Sequence, residues 1–401
     1  MKLALCAFVP VLMICLQSPA FADSQSGDGP ETSADDWRIA SIADRGAVLY
    51  YRAAVKQHAG DSLEALKLLK QCLRLHEGFD PSGSVVFEAV LNRAPGWGSL
   101  IQELHREFPV VGRARLAFVT EERDLVPEGL AYDSRQDSFY LSSLNRRKIV
   151  KIAATGAVSD FVPAGKYALL PVLGIRLDPD DDSVWANSWS EDTSRSELLH
   201  FGLSGELLGR YAFDDAKHGF NDLVIRKGGA VFLTDSLSNQ VYRFDRAASS
   251  FSALKMHRRL TEPNGIALSD DDSQLFVADD FGVQRLDFRT GVSSEVDPGP
   301  HNTLAGADGL YWHRGRLIAI QNAIGWPRIA AFRLSKNGTR VTQTTVLEYR
   351  SPFLAGEPTT GAISGDNFYF IVNSQGENMN GDQVADPTKL EPVRIGKLRL
   401  P

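Results

Sequence analysis

Apolar and polar positions alternate with two different periods along this chain. From Trp37 to about Phe108 the period is helical. Ala47 to Val55 forms an apolar-faced stretch that stops at Gly60, a residue suited to the left-handed cap position. Asp61 then offers an N-cap, with Glu64 three residues on, and Leu66, Leu69 and Leu73 follow at helical spacing. Phe87–Leu91 and Leu100–Leu104 predict two further short helices. The helix–Gly-Asp–helix unit resembles a single tetratricopeptide motif, and the plainer expectation is a helical cap of residues 37–110. Residues 23–36, rich in Ser, Gly, Asp and Pro, read as a flexible linker.

After about Arg113 the period becomes two. An apolar strand, an Asp/Gly turn and a second apolar strand recur with first strands starting at 129, 174, 222, 265, 309 and 361. The steps are therefore 45, 48, 43, 44 and 52 residues, the length of a four-stranded propeller blade. Further strands follow, as at Lys148–Ile152, Gln240–Phe244 and Arg328–Phe332. The pattern predicts an all-β six-bladed propeller over 113–401, preceded by the small α-helical segment. Arg115–Val119 is expected to pair beside Val393–Leu398 and close the ring.

Composition narrows the function classes. Of 401 residues, 43 are Lys or Arg and 50 are Asp or Glu, for a net charge of -7. Without a basic block the chain is a poor partner for nucleic acid. Lys2, the apolar run Leu3–Leu16 and Ala20-Phe21-Ala22 have the layout of a secretory signal peptide over 1–22. The expectation is an exported protein, periplasmic or secreted. No later apolar run is long enough for a membrane span. Cys15 follows Ile14 where a lipoprotein signal has a small residue, and signal removal would leave Cys72 alone, without a disulfide partner.

The repeat phase exposes candidate chemistry. The residues just before each unit's first strand are Glu128, Leu173, Asn221, Asn264, Asp308 and Thr360. In a propeller the innermost strands line the central channel, so these positions converge at one mouth. Asn-Gly and Asp-Gly pairs also arise as simple turn signals. Five polar residues sharing one register across six repeats point instead to a site, because interior positions otherwise favour apolar side chains. Oxygen donors from Glu, Asp and Asn suit a hard divalent cation, Ca²⁺ first, with Mg²⁺ and Mn²⁺ as competitors and Zn²⁺ behind them for want of His or Cys at these positions. His218 and His301, near Asn221 and Asp308 in sequence, are candidate substrate-binding or acid–base groups. No G-x-S-x-G or H-E-x-x-H motif occurs.

Pro127-Glu128-Gly129, Asn221-Asp222, Pro263-Asn264-Gly265-Ile266 and Ala307-Asp308-Gly309-Leu310 resemble the senescence marker protein/gluconolactonase (regucalcin-like) family and, more distantly, the paraoxonase and strictosidine-synthase propellers. The resemblance covers about 113–401. It implies that Glu128, Asn264 and Asp308 hold a divalent metal, with Asn221 contacting metal or substrate. Sugar-lactone hydrolases of that family tend to carry Arg two residues before the Asn-Asp pair, where this chain has Gly219. They also tend to follow the first motif with Pro and an aromatic, where this chain has Leu130-Ala131-Tyr132. Both departures argue against a sugar lactone.

The expected function is that of an exported, metal-dependent hydrolase of a lactone or related ester. The metal would polarise the carbonyl, and Asp308 would serve as ligand and general base. The alternative is a non-catalytic binding propeller with a structural metal, its helical segment holding a protein partner.

Overall fold

The computed structural model describes Ile42 and residues 44–214 and 217–401. The expected signal peptide and linker lie outside the described residues. The chain divides into two compact units, one of residues up to Pro109 together with Pro300–Thr303 and Ile324–Trp326, the other Val110–Gly299, Leu304–Ala323 and Pro327–Pro401.

In the first unit, helix α1 (Arg45–His58) and helix α2 (Ser62–Leu73) form a hairpin. The turn between them contains Gly60 at φ +81°, a conformation costly for a residue with a Cβ. Asp44 caps α1 by accepting from the Ala47 amide at 2.9 Å, and Asp61 caps α2 by accepting from the Glu64 amide at 3.3 Å. Helices α3 (Val85–Leu91) and α4 (Trp97–Glu107) follow. The core is aromatic: Tyr50 stacks on Phe79 at 5.0 Å and meets Phe87 edge-on at 5.4 Å, with Ala53, Ala65, Leu69 and Trp97 buried around them. Asp80 ties in the distant segment, its amide donating to the Ile324 carbonyl and its carbonyl accepting from the Trp326 amide. No described helix is long and apolar enough to cross a membrane.

The second unit is a six-bladed β-propeller of antiparallel four-stranded sheets. The innermost strands are Leu130–Asp133, Val172–Leu177, Phe220–Ile225, Ile266–Leu268, Ala307–His313 and Gly361–Ser364. The ring closes as the sequence predicts. Arg115–Thr120 is the outer strand of the sixth blade, with Arg115 opposite Lys397 and Thr120 opposite Val393. Apolar faces of neighbouring sheets pack together; between the first two blades, Ala131, Tyr140, Val172, Ile175, Ala186 and Phe201 form one buried cluster.

Two devices set the channel diameter. The glycine after several of the in-phase residues lets adjacent blades touch. A Cβ on Gly129 would lie 2.2 Å from the Leu173 carbonyl oxygen, one on Gly174 2.6 Å from that of Asn221, and one on Gly265 2.7 Å from that of Asp308. These glycines are therefore fixed by close approach between blades, not by the turn geometry that Asn-Gly pairs suggest. Side chains from second strands then reach across to carbonyls at the same level of the next blade. Ser142 Oγ donates to Leu173 O at 2.6 Å, Asn187 Nδ2 to Asp222 O at 3.1 Å and Thr234 Oγ1 to Asn264 O at 2.8 Å.

Candidate functional site

The inner strands are not regular at the mouth. Their pairing slips between Val172 and Ile175, between Phe220 and Leu223, and between Ala307 and Gly309. The slips fall at Leu173, Asn221 and Asp308, three of the in-phase positions. A β-bulge takes a residue out of the ladder and re-aims its side chain, which is how a strand that lines a channel can point a polar group into it.

Asp308 is 8% exposed. Its Oδ2 accepts from Asn322 Nδ2 at 2.6 Å, while its Oδ1 is buried with no hydrogen-bond partner among the described residues. Burial pushes this carboxyl up to about 6, the charge of Asp222 adds to the rise, and the amides of Asn322 and Asn264 pull against it. Asn264 Oδ1 is likewise buried and without a partner. Glu128 is half-buried, and its Oε2 meets Ser374 Oγ at 3.4 Å. Burial, then the charge of Asp308, raises its carboxyl well above the ordinary range. Asn221 is steadied by Ser236, with Nδ2 donating to Ser236 Oγ at 3.1 Å.

The structure thus couples Glu128, Asn264 and Asp308, and it places Asn221 in the same register on the third blade. Among the described residues no group of three or more His, Cys, Asp or Glu side chains is poised to hold a metal. The set here is two carboxylates and two carboxamides. Two buried amide or carboxylate oxygens without donors, beside a second carboxyl that burial disfavours as an anion, fit a hard cation that would satisfy all three.

The two histidines stand apart from this set. His218 is buried in a pair with Asp235, Nδ1 to Oδ2 at 2.6 Å, with its ring stacked on Phe213 at 4.1 Å. Asp235 also accepts from the Gly219 and Ser238 amides, so the pair is anchored in the third blade. His301 belongs to the helical unit: its Nδ1 lies 3.2 Å from the Leu75 carbonyl and its ring 6.2 Å from that of His76. Seven residues of sequence separation from Asp308 did not translate into a shared site. At Gly219 a Cβ would meet Leu237 at 3.0 Å and Trp189 at 3.1 Å. The place of the family's arginine is therefore filled by neighbouring side chains.

Several groups at the mouth were not singled out from the sequence. Asn322, Ser236 and Ser374 follow the second strands of their blades, and each contacts an in-phase residue. Phasing the second strand as well as the first would have found them. Glu357 faces Glu377, whose amide donates to Glu357 Oε2 at 3.3 Å. Burial, the facing Glu377 carboxyl and the charges of Glu128 and Asp308 hold Glu357 well above the usual carboxylate range. Asp222, beneath the mouth, contributes to the rise at both Glu128 and Asp308.

No known family profile matches the sequence, and no curated protein is a significant relative. Solved structures do align. The PQQ-bound aldose sugar dehydrogenase of Streptomyces coelicolor is 15% identical over 72% of this chain and 97% of its own, with a TM-score of 0.51. A gluconolactonase of Xanthomonas campestris is 17% identical over 73% of this chain and 91% of its own, with a TM-score of 0.48. Virginiamycin B lyase of Staphylococcus aureus is 14% identical over 72% of this chain and 99% of its own, with a TM-score of 0.49. At such identities what is shared is architecture. The likeness to the dehydrogenase agrees with the sheet topology, and the chain is a six-bladed β-propeller preceded by a small set of helices.

Proposed function

We propose that the channel mouth binds one divalent cation, Ca²⁺ before Mg²⁺ or Mn²⁺, and that the protein hydrolyses a lactone or related ester there. The observation that carries this reading is the pair of buried, partnerless oxygens, Asp308 Oδ1 and Asn264 Oδ1. Glu128, Asn264 and Asp308 would hold the cation, with Asn221 completing the set or orienting the substrate oxygen. Bound there, a divalent cation supplies Lewis acidity toward the substrate carbonyl.

The chain's own residues account for the remaining chemistry. Asp308, steadied by Asn322 at Oδ2, would take the proton of the attacking water as the water oxygen adds to the carbonyl carbon. The same proton then passes to the alkoxide that leaves as the C–O bond breaks. The filled space at Gly219 and the half-buried Trp189 beside it favour a less polar acyl or alkyl group over a polyhydroxy acid. The sequence of residues 1–22 supports export.

The test combines metal analysis with a panel of aliphatic lactones and aryl esters. The expected result is one bound divalent ion per chain, with turnover that Asp308→Ala reduces by about a thousandfold or more, or about 4 kcal/mol of barrier. Metal-free protein without turnover on the panel would refute the reading. One bound metal that raises the melting temperature, with no turnover, would favour the binding propeller in its place.

A further inference from the structure

The same channel has a second chamber. Two to four positions further along the inner strands, about 7–13 Å at the rise of a β-strand, the channel opens into a cavity of about 350 Å³. This is at the small end of ligand pockets, which run from about 300 to 1,000 Å³. Its wall is apolar and aromatic, with Tyr132, Leu177, Val224, Leu268, Trp312 and Ile363 prominent. Among the described residues that line it, Arg176 is the single charged one.

Arg176 stands between the two chambers. Its Nη2 donates to Asp222 Oδ2 at 2.8 Å and its Nη1 to the Ile175 carbonyl at 2.9 Å. Its guanidinium carbon lies 5.3 Å from the centre of the Tyr311 ring, and the Tyr311 hydroxyl accepts from the Gly361 amide at 2.5 Å. Asp222 is 1% exposed and does not line the cavity, yet its charge reaches Glu128 and Asp308. The ion pair is therefore oriented, with its anion toward the mouth and its cation toward the chamber. Arg176 also hydrogen-bonds the Tyr311 hydroxyl; a guanidinium has five N–H donors, still more than these three partners take, and its side chain keeps 16% of its surface exposed.

We infer that this chamber is a second binding site, for a small organic anion with an apolar body and a carboxylate head that reaches Arg176. A neutral apolar molecule would bury the spare donors without satisfying them, which is costly, and an ammonium head would meet a like charge. A carboxylate matches the fork geometry of the guanidinium, and the apolar wall takes the tail. The inference is independent of the hydrolase reading, since it uses none of the groups at the mouth.

Calorimetric titration of the full chain with octanoate, octylammonium and n-octanol tests it. Octanoate is expected to bind one per chain, with octylammonium and octanol each at least tenfold weaker. Leu268→Trp and Ile363→Trp, which fill the chamber from the fourth and sixth blades without touching the ion pair, should each weaken octanoate at least tenfold, with the melting temperature recording that the fold is kept. Asp308→Ala should leave octanoate binding intact, which separates this site from the mouth. Absence of octanoate binding, equal binding of octylammonium, or octanoate binding unchanged in both folded tryptophan variants would overturn the proposal.

Discussion

The two ends of the channel are built from the same six strands and carry opposite chemistry. At the mouth, Glu128, Asp308 and Glu357 all sit above the ordinary carboxylate range, because burial and the charges of neighbouring carboxylates, Asp222 included, disfavour their anions. In the chamber below, the wall is apolar and its charge is a cation. The backbone explains the split. Toward the chamber the inner strands pair regularly, whereas three of them are bulged at the mouth. A regular ladder sends side chains alternately into the two flanking interfaces between blades. A bulge frees one residue per blade to face the axis. Polar groups collect where the repeat departs from its own regularity, and the departures are offset by the glycine contacts and cross-blade hydrogen bonds that hold the ring.

After loss of turnover in Asp308→Ala, the largest effect is expected from breaking the contact that places Asp308. Gly265→Ala would put a methyl 2.6 Å from the Leu310 amide nitrogen and 2.7 Å from the Asp308 carbonyl oxygen. Backbone cannot move aside as a flexible side chain can, so the change should cost roughly 2–3 kcal/mol, the upper range for overpacking. Urea unfolding measures it, and a loss below ~0.5 kcal/mol would mean that the blades are not held this closely.

A second prediction concerns charge at the mouth. Asp308 is raised from 3.8 to about 6. A carboxyl raised by folding contributes its full stability below its unfolded value, and that stability is lost as pH rises through the folded value. Metal-free protein should therefore lose melting temperature between about pH 4 and pH 6, and Ca²⁺ should remove the loss. Glu128→Gln removes one of the repelling anions. It should stabilise the metal-free protein at pH 8 by about 1 kcal/mol, the worth of somewhat under one pKa unit, and abolish the response to Ca²⁺. If the variant is less stable than wild type without metal, the carboxylates are not in the mutual strain described.

The mouth was partly legible in the sequence, the divider not at all. Glu128, Asn264 and Asp308 could be found because each stands before a glycine at a fixed phase, and the glycines are fixed by contact between blades. Asn322 and Ser374 were harder, since a polar residue after a strand looks like an ordinary turn. Arg176 and Asp222 are 46 positions apart, and a charged residue within a short strand reads as a solvent-facing position. Packing of the second blade against the third brings the two together. His301 shows the converse error. It is near Asp308 in sequence, but its contacts are with Leu75 and His76, because the chain leaves the propeller unit at Pro300–Thr303.

The smallest predicted change in binding bears on what keeps the two ends distinct. Tyr311 belongs to both: it lines the chamber, and its hydroxyl reaches the Gly361 amide beside Arg176. Burial, more than any neighbouring charge, raises this phenol, so at neutral pH it acts as a neutral hydrogen-bonding group. Tyr311→Phe deletes the acceptor for one buried amide and one partner of Arg176, and should cost about 1–2 kcal/mol. The Arg176–Asp222 pair remains in place, with Arg176 also held by the Ile175 carbonyl. If that pair is the divider, Ca²⁺ affinity at the mouth and octanoate affinity in the chamber should each stay within about twofold of wild type. A large change in both at once would show that the phenol, and not the ion pair, separates the two chemistries.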